Sequence, residues 1–227
     1  MNGSRKKLVV VGDSAFAEIA REYFDHDSDH EVVAFAVERA FLKRDNLRGL
    51  PVVDLETLER TFPPESHDVH VAVVYTQLNR LRARLCASLK SRGYGLASYV
   101  SSRAFVWRNV SLGEHCFVFE DNTVQPFVRI GANVVMWSGN HIGHHSVIGD
   151  NSFVSSHVVV SGFCNVGESS FLGVNCAIAN NVTVGRDNWV GPGVVLTQNT
   201  EPNSLFGATQ ATPSKVSATR FFRVPSP

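Results

Sequence analysis

Two kinds of apolar pattern alternate over roughly the first ninety residues. Lys7-Leu-Val-Val-Val11 is a short continuous apolar run, stopped by Gly12-Asp13-Ser14, and from Ala15 to Phe24 the apolar residues recur at helical spacing. This predicts a strand, a turn and a helix. Further strands are predicted over 31–37, 50–54 and 69–75, with helical patterns over 55–60 and through Leu78, Leu81, Arg82, Leu85 and Leu89, while Phe62-Pro-Pro-Glu65 reads as a loop. Short apolar strands alternating with helices predict a small parallel sheet with helices against its faces.

From Val100 the period changes. Every sixth residue from Val100 to Leu196 is aliphatic or Met, seventeen positions in succession. Val, Leu, Ile and Met make up about a quarter of the chain, so such a run arises by chance on the order of once in 10⁹. Positions two apart share one face of a strand, so the residue two before each aliphatic one also points inward. That column holds small or β-branched residues, three of the four cysteines (Cys116, Cys164, Cys176), and the exceptions Asn122, Asn140 and Asn188. The column three after each aliphatic residue runs from His115 to Gly193, and eleven of its fourteen members are Gly, Asn, Asp or His, the types that tolerate positive φ. It marks the corners. A short strand and a corner every six residues build a parallel β-helix, with three sides and about 18 residues to a coil.

Composition narrows the class of function. The chain has 227 residues and 21 Lys+Arg against 21 Asp+Glu, a formal net charge of zero, with 44% hydrophobic residues. A balanced charge argues against a nucleic-acid coat or a membrane-surface binder. The apolar run after the basic start is too short for a signal-peptide core or a membrane span, so a cytoplasmic location is expected. The four cysteines lack CxxC or zinc-ligand spacing and read as free thiols, chiefly small core residues.

Segments such as Ile130-Gly-Ala-Asn-Val, Ile148-Gly-Asp-Asn-Ser, Val166-Gly-Glu-Ser-Ser and Val184-Gly-Arg-Asp-Asn resemble the motif of the hexapeptide-repeat acyltransferases. The layout as a whole is similar to bacterial sugar acetyltransferases of the sialic-acid O-acetyltransferase and bacillosamine-pathway N-acetyltransferase type. The resemblance implies an α/β Rossmann-like N-terminal domain over 1–99, a left-handed parallel β-helix over 100–206, and a C-terminal tail over 207–227. It also implies acetyl-CoA as co-substrate with no metal, a UDP- or dTDP-linked amino sugar as acceptor, a role in surface-glycan biosynthesis, and a homotrimer with active sites between subunits. Sugar O-acetylation is the near alternative.

Acetyl transfer to an amine or hydroxyl needs a base near the acceptor, and histidine suits that task. His26, His30, His67 and His70 fall at loop or strand-end positions and are expected to be solvated, whereas His115, His145 and His157 occupy the corner column, which explains their presence. His144 has no such explanation. Within Ile142-Gly-His-His-Ser-Val-Ile-Gly149 it matches the family segment whose histidine is the general base. The family's acidic neighbour is here His145, so the orientation of His144 is expected to come from elsewhere, such as a backbone carbonyl or a carboxylate across a subunit boundary. His141 is the second candidate base.

One coil beyond His144, Ser161 and Gly162 fall where the family's backbone amide contacts the pantetheine arm of CoA. Asn180 and the run Gly173-Val174-Asn175 are expected to line the same groove between subunits, although glycines in such a repeat also serve as plain corners. In the N-terminal domain Gly12, Asp13 and Ser14 follow a strand and open a helix, a place that favours phosphate, and Glu38 ends the second strand, where an acid can reach a base or ribose. The family's front motif survives in Gly12-Asp-Ser-Ala-Phe-Ala17 only at its ends. A zinc hydratase on the same β-helix would use the cluster His141, His144, His145 and His157, but its ligand spacing is not met: five after His141 is Ser146, and 36 before His144 is Arg108.

Overall fold

The computed structural model describes residues 5–225. The chain begins with β1 (Lys6–Val11), α1 (Ala15–Asp27), β2 (His30–Val37), β3 (Asn46–Leu47), β4 (Leu50–Asp54), β5 (His67–Val71), α2 (Arg80–Ser91) and β6 (Gly95–Leu96). They form one sheet in the order β3-β4-β2-β1-β5-β6, parallel apart from the short β3–β4 pair. β1 and β5 are covered on both faces, which is why β1 reads as the unbroken apolar run Leu8–Val11 and why β5 is buried along its whole length. Val9, Val11, Val69 and Val71 face Leu55, Leu58, Leu85 and Leu89, whereas Leu8, Val10 and Phe35 face Phe16 and Phe24 of α1.

From Tyr99 to Leu196 two-residue strands recur every six residues and pair with the strand 18 residues on, in three parallel sheets, and a last strand, Leu205–Phe206, pairs with Trp189–Val190. The first sheet runs from Tyr99–Val100 to Leu205–Phe206, the second from Phe105–Val106 to Val195–Leu196, and the third from Ser111–Leu112 to Thr183–Val184. The arrangement fits a left-handed β-helix. All fourteen residues of the corner column have positive φ, including Phe127, Phe163 and Ser169, which have no intrinsic preference for it. The inward asparagines are satisfied within the core: Asn140 Nδ2 donates to Asn122 Oδ1 at 3.0 Å, and Asn140 Oδ1 accepts from Val158 N at 2.8 Å. Cys116, Cys164 and Cys176 are buried in the same core, and all four cysteines are free. Among the described residues no helix is long and apolar enough to cross a membrane.

The first sheet carries an aromatic outer face. Tyr99, Phe117, Phe119, Phe153 and Phe171 pack against α1 and its neighbours in one continuous cluster, so α1 lies between the N-terminal sheet and the β-helix. This docking corrects the expectation of solvated histidines. His70 is fully buried because β5 is an inner strand and its side chain meets the β-helix, stacking on His115 at 4.5 Å; His67 is buried as well.

His115 Nε2 accepts the N–H of Val71 at 2.8 Å, so its proton sits on Nδ1, which donates to Asn133 Oδ1 at 2.8 Å. Cys86 Sγ lies 3.4 Å from the same Nδ1, but burial pushes its thiol up to about 12. Cys, His and Asn here form a junction, not a nucleophile. Burial holds His70 down at about 4 and His115 well below the usual histidine range. The unfolded chain takes up these protons near pH 6.5, while the folded chain resists them. Stability is therefore complete above about pH 6.5 and falls as pH drops toward 4, by up to about 1.4 kcal/mol per pH unit for each group. Urea midpoints measured at pH 7.5, 6 and 5 are expected to decline in that order, and a flat series would contradict the assignment.

Candidate functional site

Two features gather the candidate residues, and they lie on different sides of the chain. The first is a cleft at the C-terminal ends of β1 and β2. Gly12 ends β1 at φ +126°, and a Cβ there would stand 2.8 Å from the Ala72 carbonyl oxygen, so the strand can only turn this sharply with glycine. Ser14 caps α1 through its main-chain oxygen, which accepts from Ala17 N and Glu18 N at 2.9 and 3.2 Å. Gly12, Asp13, Ser14 and Glu38 all line this cleft of about 290 Å³, whose walls are apolar apart from these and Thr76, with Leu55, Leu81 and Leu85 among them.

Two arginines that the sequence pattern did not single out balance its charge. Arg84 clamps Glu38 with both nitrogens, Nη1 to Oε1 at 3.0 Å and Nη2 to Oε2 at 2.9 Å, and Arg44 lies 3.3 Å from Asp13. On the far wall the predicted strand 69–75 stops at Val71, and the predicted helix starts only at Arg80. Between them Gln77, Leu78 and Asn79 take φ of +54°, +47° and +65°. No residue type there but Asn79 announces such a turn.

The second feature is the corner between the second and third sheets, the edge of the prism opposite the sheet that α1 covers. His144 stands there, exposed, with its main-chain N–H held by Gln125 Oε1 at 2.9 Å. Its ring lies edge-on to Phe163 at 5.0 Å, and its Nδ1 is 3.1 Å from Nδ1 of His145. His145 in turn is stacked between Phe127 at 4.6 Å and Phe163 at 4.8 Å, the corner residues one coil before and one coil after.

Gly162 was expected to keep a backbone amide clear for CoA, but here its N–H goes to Asn180 Oδ1 at 2.9 Å, and Ser161 N–H to Ile178 O at 3.0 Å. Its missing side chain serves His144 instead: a Cβ at Gly162 would stand 2.9 Å from Cε1 and 3.0 Å from Nε2 of that ring. Gly162→Val is accordingly expected to displace the His144 ring with the β-helix intact and, where that ring acts as the base of a reaction, to lower turnover by about tenfold or more, because small misplacements of a reacting group are costly. Steady-state kinetics beside a circular dichroism melt checks this.

His144, Gly162 and Asn180 stack on one edge, one coil apart. Gly173 and Val174 do not join them within a chain. They fall at the corner between the first and second sheets, since position 173 is 11 residues from 162 and not a multiple of 18, and a Cβ at Gly173 would meet the backbone of Gly191 at 2.7 Å. His141 lies on the outer face of the second sheet, between Thr123 and Val159. Among the described residues no group of three or more His, Cys, Asp or Glu is placed to hold a metal ion.

No protein-family model matches the sequence, and no curated protein does. Solved structures do match. The acetyltransferase domain of PglB from Neisseria gonorrhoeae is 22% identical, with 92% of this chain and 100% of that one covered and a TM-score of 0.79. PerB from Caulobacter crescentus, solved in complex with CoA and GDP-perosamine, is 24% identical over 89% of this chain and 94% of that one, with a TM-score of 0.78. WeeI from Acinetobacter baumannii is 19% identical over 87% and 94%, at 0.59. The chain has the fold of these proteins. The PglB domain has also been solved with acetyl coenzyme A.

Proposed function

We propose that the protein is an acyltransferase that moves an acetyl group from acetyl-CoA to the amino group of a nucleotide-diphosphate-linked sugar. The observation that carries this reading is His144, a solvent-facing imidazole on a β-helix edge, seated on a glycine that leaves room for its ring, in a fold shared with a protein solved with CoA and a nucleotide amino sugar. In the reaction His144 Nε2 takes the proton of the acceptor nitrogen as that nitrogen attacks the thioester carbonyl. The C–N bond forms, the tetrahedral intermediate collapses with loss of the C–S bond, and the thiolate leaves with the proton that His144 held. No covalent acyl-enzyme is needed.

The cleft at Gly12, Asp13, Ser14 and Glu38 is our proposed nucleotide site, in an N-terminal domain we read as Rossmann-like. It lies apart from His144 in one chain. The second sheet, which adjoins the His144 corner, exposes Phe105, Val159 and Val195 at 54, 42 and 64%. Exposed apolar side chains on this face, interrupted by Thr123 and His141, support self-association, and a homotrimer would bring the cleft of one subunit toward the histidine of another, with Gly173 and Val174 reaching the CoA groove from a neighbouring corner. The neighbour solved with GDP-perosamine adds guanosine to uridine and thymidine as the nucleotide to test. Product mass before and after mild alkali decides the acceptor: an amide survives, which is the expected result, whereas loss of the acetyl group would mark an ester and transfer the reading to O-acetylation.

A further inference from the structure

His144 has a partner on Nδ1, and that partner is an imidazole and not an anion. A hydrogen bond between two Nδ1 atoms at 3.1 Å requires one of them to hold a proton and the other a lone pair. If His145 were the donor, the neutral His144 ring would carry its proton on Nε2, the nitrogen that faces the space above Gly162, and could take none from a substrate. If His144 is the donor, its Nε2 keeps the lone pair. His145 is not free to turn away, because Phe127 and Phe163 stack on its two faces at 4.6 and 4.8 Å, with interplanar angles of 29° and 19°. All three are corner residues with φ of +60°, +66° and +58°, so the strained backbone of two phenylalanines maintains the clamp.

We infer that His145 is the positioning residue of His144: clamped between Phe127 and Phe163, its Nδ1 accepts the Nδ1 proton of His144 and so keeps Nε2 of His144 unprotonated. This inference rests on the reading of His144 as general base. When His144 takes a second proton on Nε2, the bond to His145 becomes charge-assisted and strengthens as the transition state is approached. The same bond needs His145 neutral, since a His145 protonated on Nδ1 has no lone pair to offer there.

The corner column supplies the test. Phe already occupies its neighbours at the same φ, so His145→Phe extends the ring stack without disturbing the backbone and removes only the acceptor. Asn is equally at home at positive φ and supplies a carbonyl oxygen. The expected result is a fall in kcat of roughly 10–100-fold for His145→Phe, KM for acetyl-CoA unchanged, and recovery of much of the loss in His145→Asn. Nitrogen-15 spectra of labelled histidine read the tautomer directly: His144 is expected protonated on Nδ1 in the wild type and predominantly on Nε2 in His145→Phe. Full activity in His145→Phe with inactive His144→Ala would overturn the inference alone. Full activity in both variants would overturn the reading of the base.

Discussion

Replacing His144 by alanine is expected to reduce turnover by about 10²–10⁴-fold, the contribution of a positioned general base, while affinity for CoA and the thermal midpoint stay near wild type. The reasons are local. His144 is exposed, its ring packs on Phe163 over Gly162, and its side chain hydrogen-bonds only His145, while its main-chain bonds to Gln125 and Phe163 survive the substitution. None of these contacts belongs to the β-helix core, whose inward positions on either side are Ile142 and Ser146. Kinetics with saturating acetyl-CoA, beside calorimetric titration of CoA, separate the two effects. Equal losses in CoA affinity and kcat would place His144 in binding instead of proton transfer.

The second large effect concerns stability at the junction between the N-terminal sheet and the β-helix. Arg82 is fully buried, and among the described residues its guanidinium meets no carboxylate: Nε donates to Asn133 Oδ1 at 2.7 Å and Nη2 to the Asn133 carbonyl. Desolvation pulls its pKa down to about 10. Asn133 stands at φ +56°, so Asn133→Gly keeps the corner conformation and deletes only the side chain. A buried cation that loses a main acceptor is expensive, and about 3 kcal/mol of stability is expected to go. Arg82→Met removes the charge with its need, and Asn133 Oδ1 keeps the proton of His115, so this change is expected to cost about 1 kcal/mol or less. Chemical denaturation of the two variants checks the order, and a larger loss for Arg82→Met would contradict it.

The β-helix was legible because a repeat averages over local noise. One column placed the corners, and the register forced even Phe127, Phe163 and Ser169 into positive φ against their own preference. The cleft was legible in the residues that make the turn after β1, but not in Arg44 and Arg84, which reach it from 31 and 46 residues away in sequence to meet Asp13 and Glu38. His70 and His115 read as solvated or as plain corner residues because their burial depends on the docking of two parts of the chain, which no periodicity encodes. Gly162 looked like a backbone contact for CoA. Its use as the seat of an imidazole becomes visible only when the coils are stacked.

The most direct test of the central claim is thiol release from acetyl-CoA by the purified protein, followed with a panel of 3-amino and 4-amino sugars linked to uridine, thymidine or guanosine diphosphate, wild type and His144→Ala side by side. Release with one amino sugar is expected in the wild type, and its loss in the variant. Release that is undiminished in His144→Ala would contradict it, and so would silence across the whole panel.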